Sequence, residues 1–333
     1  MIAPQRRDDA AAASSLANLR RARRRAAIIP ETLVARRPGP PGPALHYRHS
    51  FHAGNFADVF KHLVLCALLD ALCAKEKPWF FLDTHAGEGR YLLSGESARR
   101  TGEYREGIAR LLGSDIRSAA LRRLLELAPQ AAGGELTRLY PGSPALAYVQ
   151  ARAHDRLAFV ERIDEVADRL RDTLVYAEGR REAPRPAYAI HRRDGYETLG
   201  LLPPPEKRGL VLIDPPFERP DEFDAIRDYL GGAVQRFATG IYAVWYPQKK
   251  HFDAGRFIRA VARNIPRPAL NLSLDTGAAS QGQMHACGML VVNPPFRLDA
   301  HLGPAVAELR DALAQGPRAE AHMDWIRTED ESR

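Results

Sequence analysis

Cysteine is scarce in this chain of 333 residues, long apolar runs are missing, and no complete dinucleotide glycine fingerprint occurs. Each gap excludes something. Three cysteines, Cys66, Cys73 and Cys287, give neither a disulfide framework nor metal spacing, so a reducing compartment, the cytoplasm, is expected. No apolar stretch approaches the roughly 20 residues that span a bilayer, so no membrane partner is expected. After Gly87-Glu88-Gly89 the next glycine comes too late for G-x-G-x-x-G, which argues against a bound pyrophosphate. Excess charge is also scarce outside one region. Residues 1–43 hold nine arginines against three acids, so six of the seven net positive charges lie there. The basic balance therefore says little about the remainder.

Residues 1–43 end in Arg37-Pro-Gly-Pro-Pro-Gly-Pro43 and cannot build a core. A disordered basic arm, an Arg-rich targeting peptide and upstream codons read through before the true start compete. The favoured expectation is a disordered, dispensable extension. From Asn55, a residue suited to capping, a helix is expected, with Phe56, Val59, Phe60, Leu63, Ala67, Leu68 and Leu72 at helical spacing and Pro78 as its exit. Seven short apolar runs of strand type follow: 79–82, 157–160, 187–190, 209–213, 241–245, 270–274 and 288–292. Crossover-length segments separate most of them, which predicts an α/β fold with a mostly parallel, seven-stranded sheet. The last two could be antiparallel neighbours. Between the first two runs lie about 70 residues with helical patterning, too many for one crossover. The expected organisation is a main domain of 44–91 and 141–330, interrupted by a small helical subdomain, 92–140.

Strand ends carry the chemistry. Leu82-Asp83-Thr84-His85-Ala86-Gly87-Glu88-Gly89 joins an acid to a glycine turn that lets backbone approach a ligand. Glu161, ending the second strand, reads either as a ribose-hydroxyl acceptor or as a solvated residue. Asp194-Gly195, after the third, reads either as an acceptor for an adenine amine or as a plain turn. The fourth strand runs into Asp214-Pro215-Pro216-Phe217. An exocyclic aromatic amine is a weak nucleophile because its lone pair is delocalised, and acceptors for both its protons favour a pyramidal nitrogen. Asp214 and the Pro215 carbonyl supply them on a loop stiffened by two prolines, and Phe217 can stack on the base. Asn293-Pro-Pro-Phe296 repeats the pattern after the last strand. In a doubly wound sheet the fourth strand lies beside the first, so Asp214 faces the glycine turn and Asn293 is remote. His46, His49, His52, His62 and His85 match no zinc spacing, and no metal is expected.

Longer strings then become recognisable: Tyr47-Arg-His-Ser-Phe-His-Ala-Gly-Asn55, Asp58 with Lys61-His62, Leu82-Asp-Thr-His-Ala-Gly87, Arg100-Thr-Gly-Glu-Tyr104, Tyr140-Pro-Gly-Ser-Pro144, Asp214-Pro-Pro-Phe217 and the run 237–247. In this order, across about 45–327, the chain resembles the bacterial RlmJ family, which methylates the N6 of one adenine in large-subunit (23S) ribosomal RNA. The resemblance implies a Rossmann-like methyltransferase fold with an inserted helical subdomain. It implies S-adenosylmethionine contacts at His62, His85, Ser143, Glu161, Asp194 and Gly195, with Asp214 adjoining the cofactor and accepting the amine's proton. Tyr47, His49 and Lys61 would contact the ribosomal RNA, and a monomer is expected. Phe217 stands where the family has tyrosine, and residues before about 44 have no counterpart. Two other readings stay open: a DNA adenine or cytosine amine methyltransferase, and an inactive RNA-binding assembly factor.

Overall fold

The computed structural model describes residues 49–248, 253–279 and 284–328. Tyr47 and the extension 1–43 lie outside the described residues. In chain order the elements are α1 (Phe56–Cys73), β1 (Phe80–Asp83), β2 (Arg90–Leu92), α2 (Glu96–Thr101), α3 (Ile108–Leu112), α4 (Ala119–Ala132), β3 (Leu139–Pro141), α5 (Ser143–Gln150), β4 (Arg156–Val160), α6 (Asp164–Gly179) and β5 (Ala187–His191). They continue as β6 (Gly209–Ile213), α7 (Glu222–Arg236), β7 (Ile241–Gln248), α8 (Ala254–Asn264), β8 (Ala269–Asp275), β9 (Ala286–Val292), α9 (Leu298–Leu313) and β10 (Glu320–Arg327). Short 3-10 segments lie at His49–Phe51, Glu103–Glu106 and Gly195–Leu201.

Helix α1 starts where the sequence placed it, because the Asn55 side chain accepts from the Asp58 N–H at 2.9 Å. Strand residues alternate between two apolar clusters, as a period of two demands. Phe81, Leu157, Phe159, Leu210 and Leu212 point to the face covered by α1, α4, α5 and α9. Phe80, Leu82, Val160, Val211 and Ile213 point to the face covered by α7 and α8. Both faces are thus apolar, which is why the parallel strands read as continuous apolar runs.

The sheet order is β10-β8-β9-β7-β6-β1-β4-β5. Strands β7, β6, β1, β4 and β5 are mutually parallel, and β9 runs antiparallel between β7 and β8. The expected seven strands become eight. The addition is β10, antiparallel to β8 at the sheet's edge. Glu320–Asp324 alternates exposed and half-buried residues and no residue of the strand is fully buried, so this edge strand offered no apolar run to read. Strands β2 and β3 form a separate antiparallel pair. The α/β, Rossmann-like class stands, and the order reverses between β1 and β6, the switch point where such sheets bind ligands.

Candidate active site

Strand β6 lies in register with β1, Leu212 opposite Asp83, so the loop 214–217 emerges beside the turn 83–89. Both the N–H and the hydroxyl of Thr84 donate to the Leu212 carbonyl at 3.0 Å and tie the two loops together. The Asp214 side chain keeps 16 % exposure at this crevice. Its Oδ2 accepts from the Lys61 ammonium at 2.6 Å. Lys61, on the second turn of α1, also contacts Asp58 Oδ1 at 2.9 Å, and Asp58 Oδ2 accepts from His49 Nε2 at 2.9 Å and from the Gly54 N–H at 3.0 Å. Burial works against the Lys61 charge, but Asp214 and Asp58 together raise its pKa well above the ordinary range, so it stays an ammonium. Burial likewise opposes ionisation of Asp58, and His49 and Lys61 overcome it, leaving the carboxyl well below its usual range. Of the two described residues expected to contact RNA, Lys61 is thus buried between Asp58 and Asp214, and His49 meets Asp58 rather than the 214–217 loop.

Phe217 takes a left-handed backbone, φ +50°, a conformation disfavoured for a bulky residue. Its ring, 8 % exposed, packs edge-on against Phe223 and Trp245 at centroid distances of 5.3 and 5.7 Å. The aromatic seat holds the loop against its backbone strain. The ring face expected to stack on a base is therefore largely covered in this state.

The other residues expected to hold a cofactor line the neighbouring strand ends. Gly87 and Gly89 have positive φ, +64° and +75°, and the Gly87 N–H donates to Glu161 Oε2 at 3.1 Å. Burial raises the Glu161 carboxyl. Asp83, fully buried, accepts from Ser143 Oγ at 2.6 Å. Burial pushes its pKa up to about 7; Asp214 adds to the shift and the Ser143 hydrogen bond opposes it. Asp194 caps the segment 195–201 through the Tyr196 N–H at 2.9 Å. A Cβ on Gly195 would lie 2.2 Å from the Thr84 carbonyl, so only glycine lets this loop close on β1. Burial pushes His85 down to about 4 and His62 to about 3. His62 Nδ1 meets the Tyr140 hydroxyl at 3.0 Å, while its buried Nε2 has no partner among the described residues. Of the six expected cofactor residues, His85, Glu161, Asp194 and Gly195 follow the ends of parallel strands, His62 lies on α1 and Ser143 opens α5. Among the described residues no cluster of His, Cys, Asp and Glu is arranged to hold a metal ion.

The Asn293 loop is elsewhere. β9 runs opposite to β6, so its end lies at the other end of the sheet from Asp214. There the Asn293 amide donates to the Ala238 and Gly240 carbonyls at 3.0 and 2.7 Å, fastening the entry to β7. Phe296 is 89 % exposed. Asp58 is the residue whose place in the site sequence reading missed. Quoted there only in the string with Lys61-His62, it stands three residues before Lys61, a spacing that puts both on one helix face.

Comparison with known proteins fits this geometry. A family model described as "Ribosomal RNA large subunit methyltransferase D, RlmJ" matches residues 76–327. The chain is similar to a protein named ribosomal RNA large subunit methyltransferase J from Escherichia coli K12, 37 % identical over 85 % of this chain and 99 % of that one. A protein of the same name from Haemophilus influenzae is 36 % identical over 86 % and 100 %. A crystal structure from Legionella pneumophila superposes with a TM-score of 0.72 at 31 % identity, covering 82 % of this chain and 98 % of that one. The chain belongs to the RlmJ family of ribosomal RNA large subunit methyltransferases.

Proposed function

We propose that this protein transfers a methyl group from S-adenosylmethionine to the exocyclic N6 amine of one adenine in 23S ribosomal RNA. The observation that carries the reading is the Asp214 carboxylate at the switch point, gripped on Oδ2 by a buried ammonium at 2.6 Å and with its side chain still 16 % exposed. Membership of a family of ribosomal RNA large subunit methyltransferases supplies the RNA.

The chain's residues fit the cofactor. Asp83, Glu161, Asp194 and Asp214 surround the crevice and Lys61 is a buried cation among them, so the surplus of acid suits a ligand with net positive charge. His62 Nε2, buried and without a partner among the described residues, offers a polar contact. In the proposal Glu161 receives the ribose hydroxyls, Asp194 and Gly195 the adenine, and His62, His85 and Ser143 the remaining groups. When bound, S-adenosylmethionine supplies an electrophilic methyl on a sulfonium centre. Asp214 Oδ1 and the Pro215 carbonyl accept the amine's two protons, which localises the lone pair on nitrogen, and Asp214 takes the proton released after attack. Phe217 anchors this loop, and stacking on a flipped base requires its ring to leave the Phe223–Trp245 seat. Tyr47 and His49 contact the RNA.

Residues 92–140 are proposed as a helical insertion that braces the approach to the crevice. The Ile108 N–H donates to the Gly54 carbonyl at 2.9 Å, and Glu103 binds both His52 and Asn55 at 2.9 Å. No helix among the described residues is long and apolar enough to cross a membrane, and a monomer acting on ribosomal RNA in the cytoplasm is the proposed setting.

Transfer of tritium from labelled S-adenosylmethionine to protein-free large-subunit RNA tests the reading, with mass spectrometry identifying the product as N6-methyladenine. Asp214→Asn should lower the rate by about 100-fold or more while cofactor binding persists. Label entering duplex DNA alone, or undiminished transfer by Asp214→Asn, would refute it.

A further inference from the structure

Lysine has a flexible four-carbon stem, and an ammonium gripping a carboxylate must be fixed from behind to hold that carboxylate still. Here the fixing group is on the same helix. Asp58, 3 % exposed, contacts Lys61 Nζ through Oδ1 at 2.9 Å. Its Oδ2 takes the Gly54 N–H at 3.0 Å and His49 Nε2 at 2.9 Å, so neither oxygen can swing away without breaking a contact. The Asp58 N–H is itself held by the Asn55 cap. A carboxylate in the first turn of a helix commonly serves only to satisfy that helix's own free N–H groups. The Asp58 side chain instead reaches outside the helix on one oxygen and along it to Lys61 on the other.

We propose that Asp58 is a positioning residue for methyl transfer: it fixes the Lys61 ammonium, which holds Asp214 Oδ2 and turns Oδ1 toward the amine. Asp58 makes no contact with the reacting atoms and acts through Lys61. The inference rests on Asp214 being the amine's acceptor, and Asp214→Asn is carried alongside so that the two can fail separately.

The experiment compares the full chain with Asp58→Asn, Lys61→Met and the double variant, measuring kcat and the KM for S-adenosylmethionine on large-subunit RNA transcript. Asparagine keeps an acceptor for the Gly54 N–H and removes the charge. Asp58→Asn should lower kcat on the order of 10- to 100-fold and leave the cofactor KM within about twofold. In the Lys61→Met background the same change should cost no more than about twofold, since its target is gone. Unaltered kcat, a matching loss in cofactor KM, or an equal cost in both backgrounds would overturn the proposal. If Asp58→Asn does not fold, Lys61→Met and the double variant, which bury no unpaired ammonium, give the answer: equal kcat supports the proposal and a further drop in the double variant overturns it. Should Asp214→Asn retain methylation, the functional reading fails first; if it is dead while Asp58→Asn is normal, only the positioning role fails.

Discussion

Asp83 shows how one residue's surroundings set its chemistry. Its carboxyl is enclosed at the end of a central strand, and burial lifts its pKa to about 7. Near neutrality it is therefore half protonated, and a cation entering the crevice favours the ionised form. Linkage gives the sign: below about 7 a proton must leave before the cation is matched, so affinity for S-adenosylmethionine should weaken as pH falls, approaching about tenfold per unit. Calorimetric titration at several pH values checks this, and Asp83→Asn should bind more weakly with that slope gone. A slope unaltered in the variant would assign the proton elsewhere. Asp83 itself was legible as an acid at a strand end, but its state depended on an enclosure that no local string encodes.

At the scale of elements, two near-identical loops lie at opposite ends of the sheet because their strands run in opposite directions. Asp214 ends a parallel strand at the switch point. Asn293 ends antiparallel β9 and spends its amide on two carbonyls before β7. Asn293 also has φ +53°, which asparagine tolerates better than most residues. Asn293→Ala should cost about 2 kcal/mol of stability through the two lost hydrogen bonds and the backbone strain. Urea unfolding measures that, and methylation per folded molecule should be unchanged. A variant that keeps its stability but loses methylation would reverse the roles of the two loops. The apolar strands and α1 were readable because burial on both faces, or on a helical stripe, writes a period into the sequence. β10 was not, since a half-wetted edge strand needs only alternation.

Across the whole molecule, pH acts through several buried groups whose signs differ. His62 and His85 are held neutral, at about 3 and about 4, below the unfolded value near 6.5. Their contribution is complete above 6.5 and is lost as pH falls, at about 1.4 kcal/mol per unit for each. Asp83, raised to about 7, works in the reverse sense between that value and its unfolded one near 3.8. The three together leave a net slope of about one histidine, so their share of the unfolding free energy should drop by on the order of 1 kcal/mol between pH 6.5 and 5. Denaturant titrations at the two pH values measure the drop, and His62→Gln should flatten it. A variant as steep as the parent would show that His62 is not the buried neutral group.

The parallel core strands, the capped helix α1, the glycine turn and Asp214-Pro-Pro-Phe217 were legible in the chain's residues alone, because each rests on local spacing, turn chemistry or burial period. The resemblance, carried by strings in a fixed order, also reached the family. Which residues meet depended on the folded chain. Lys61 and Asp214 are 153 positions apart and 2.6 Å distant, and Asp83 and Ser143 are joined across 60 positions. Phe217 was read as able to stack on a base, and the fold sets its ring against Phe223 and Trp245. Such contacts arise from strand order and helix packing, which bring distant segments together. A buried charge or ring takes its state from those neighbours, and local sequence does not name them.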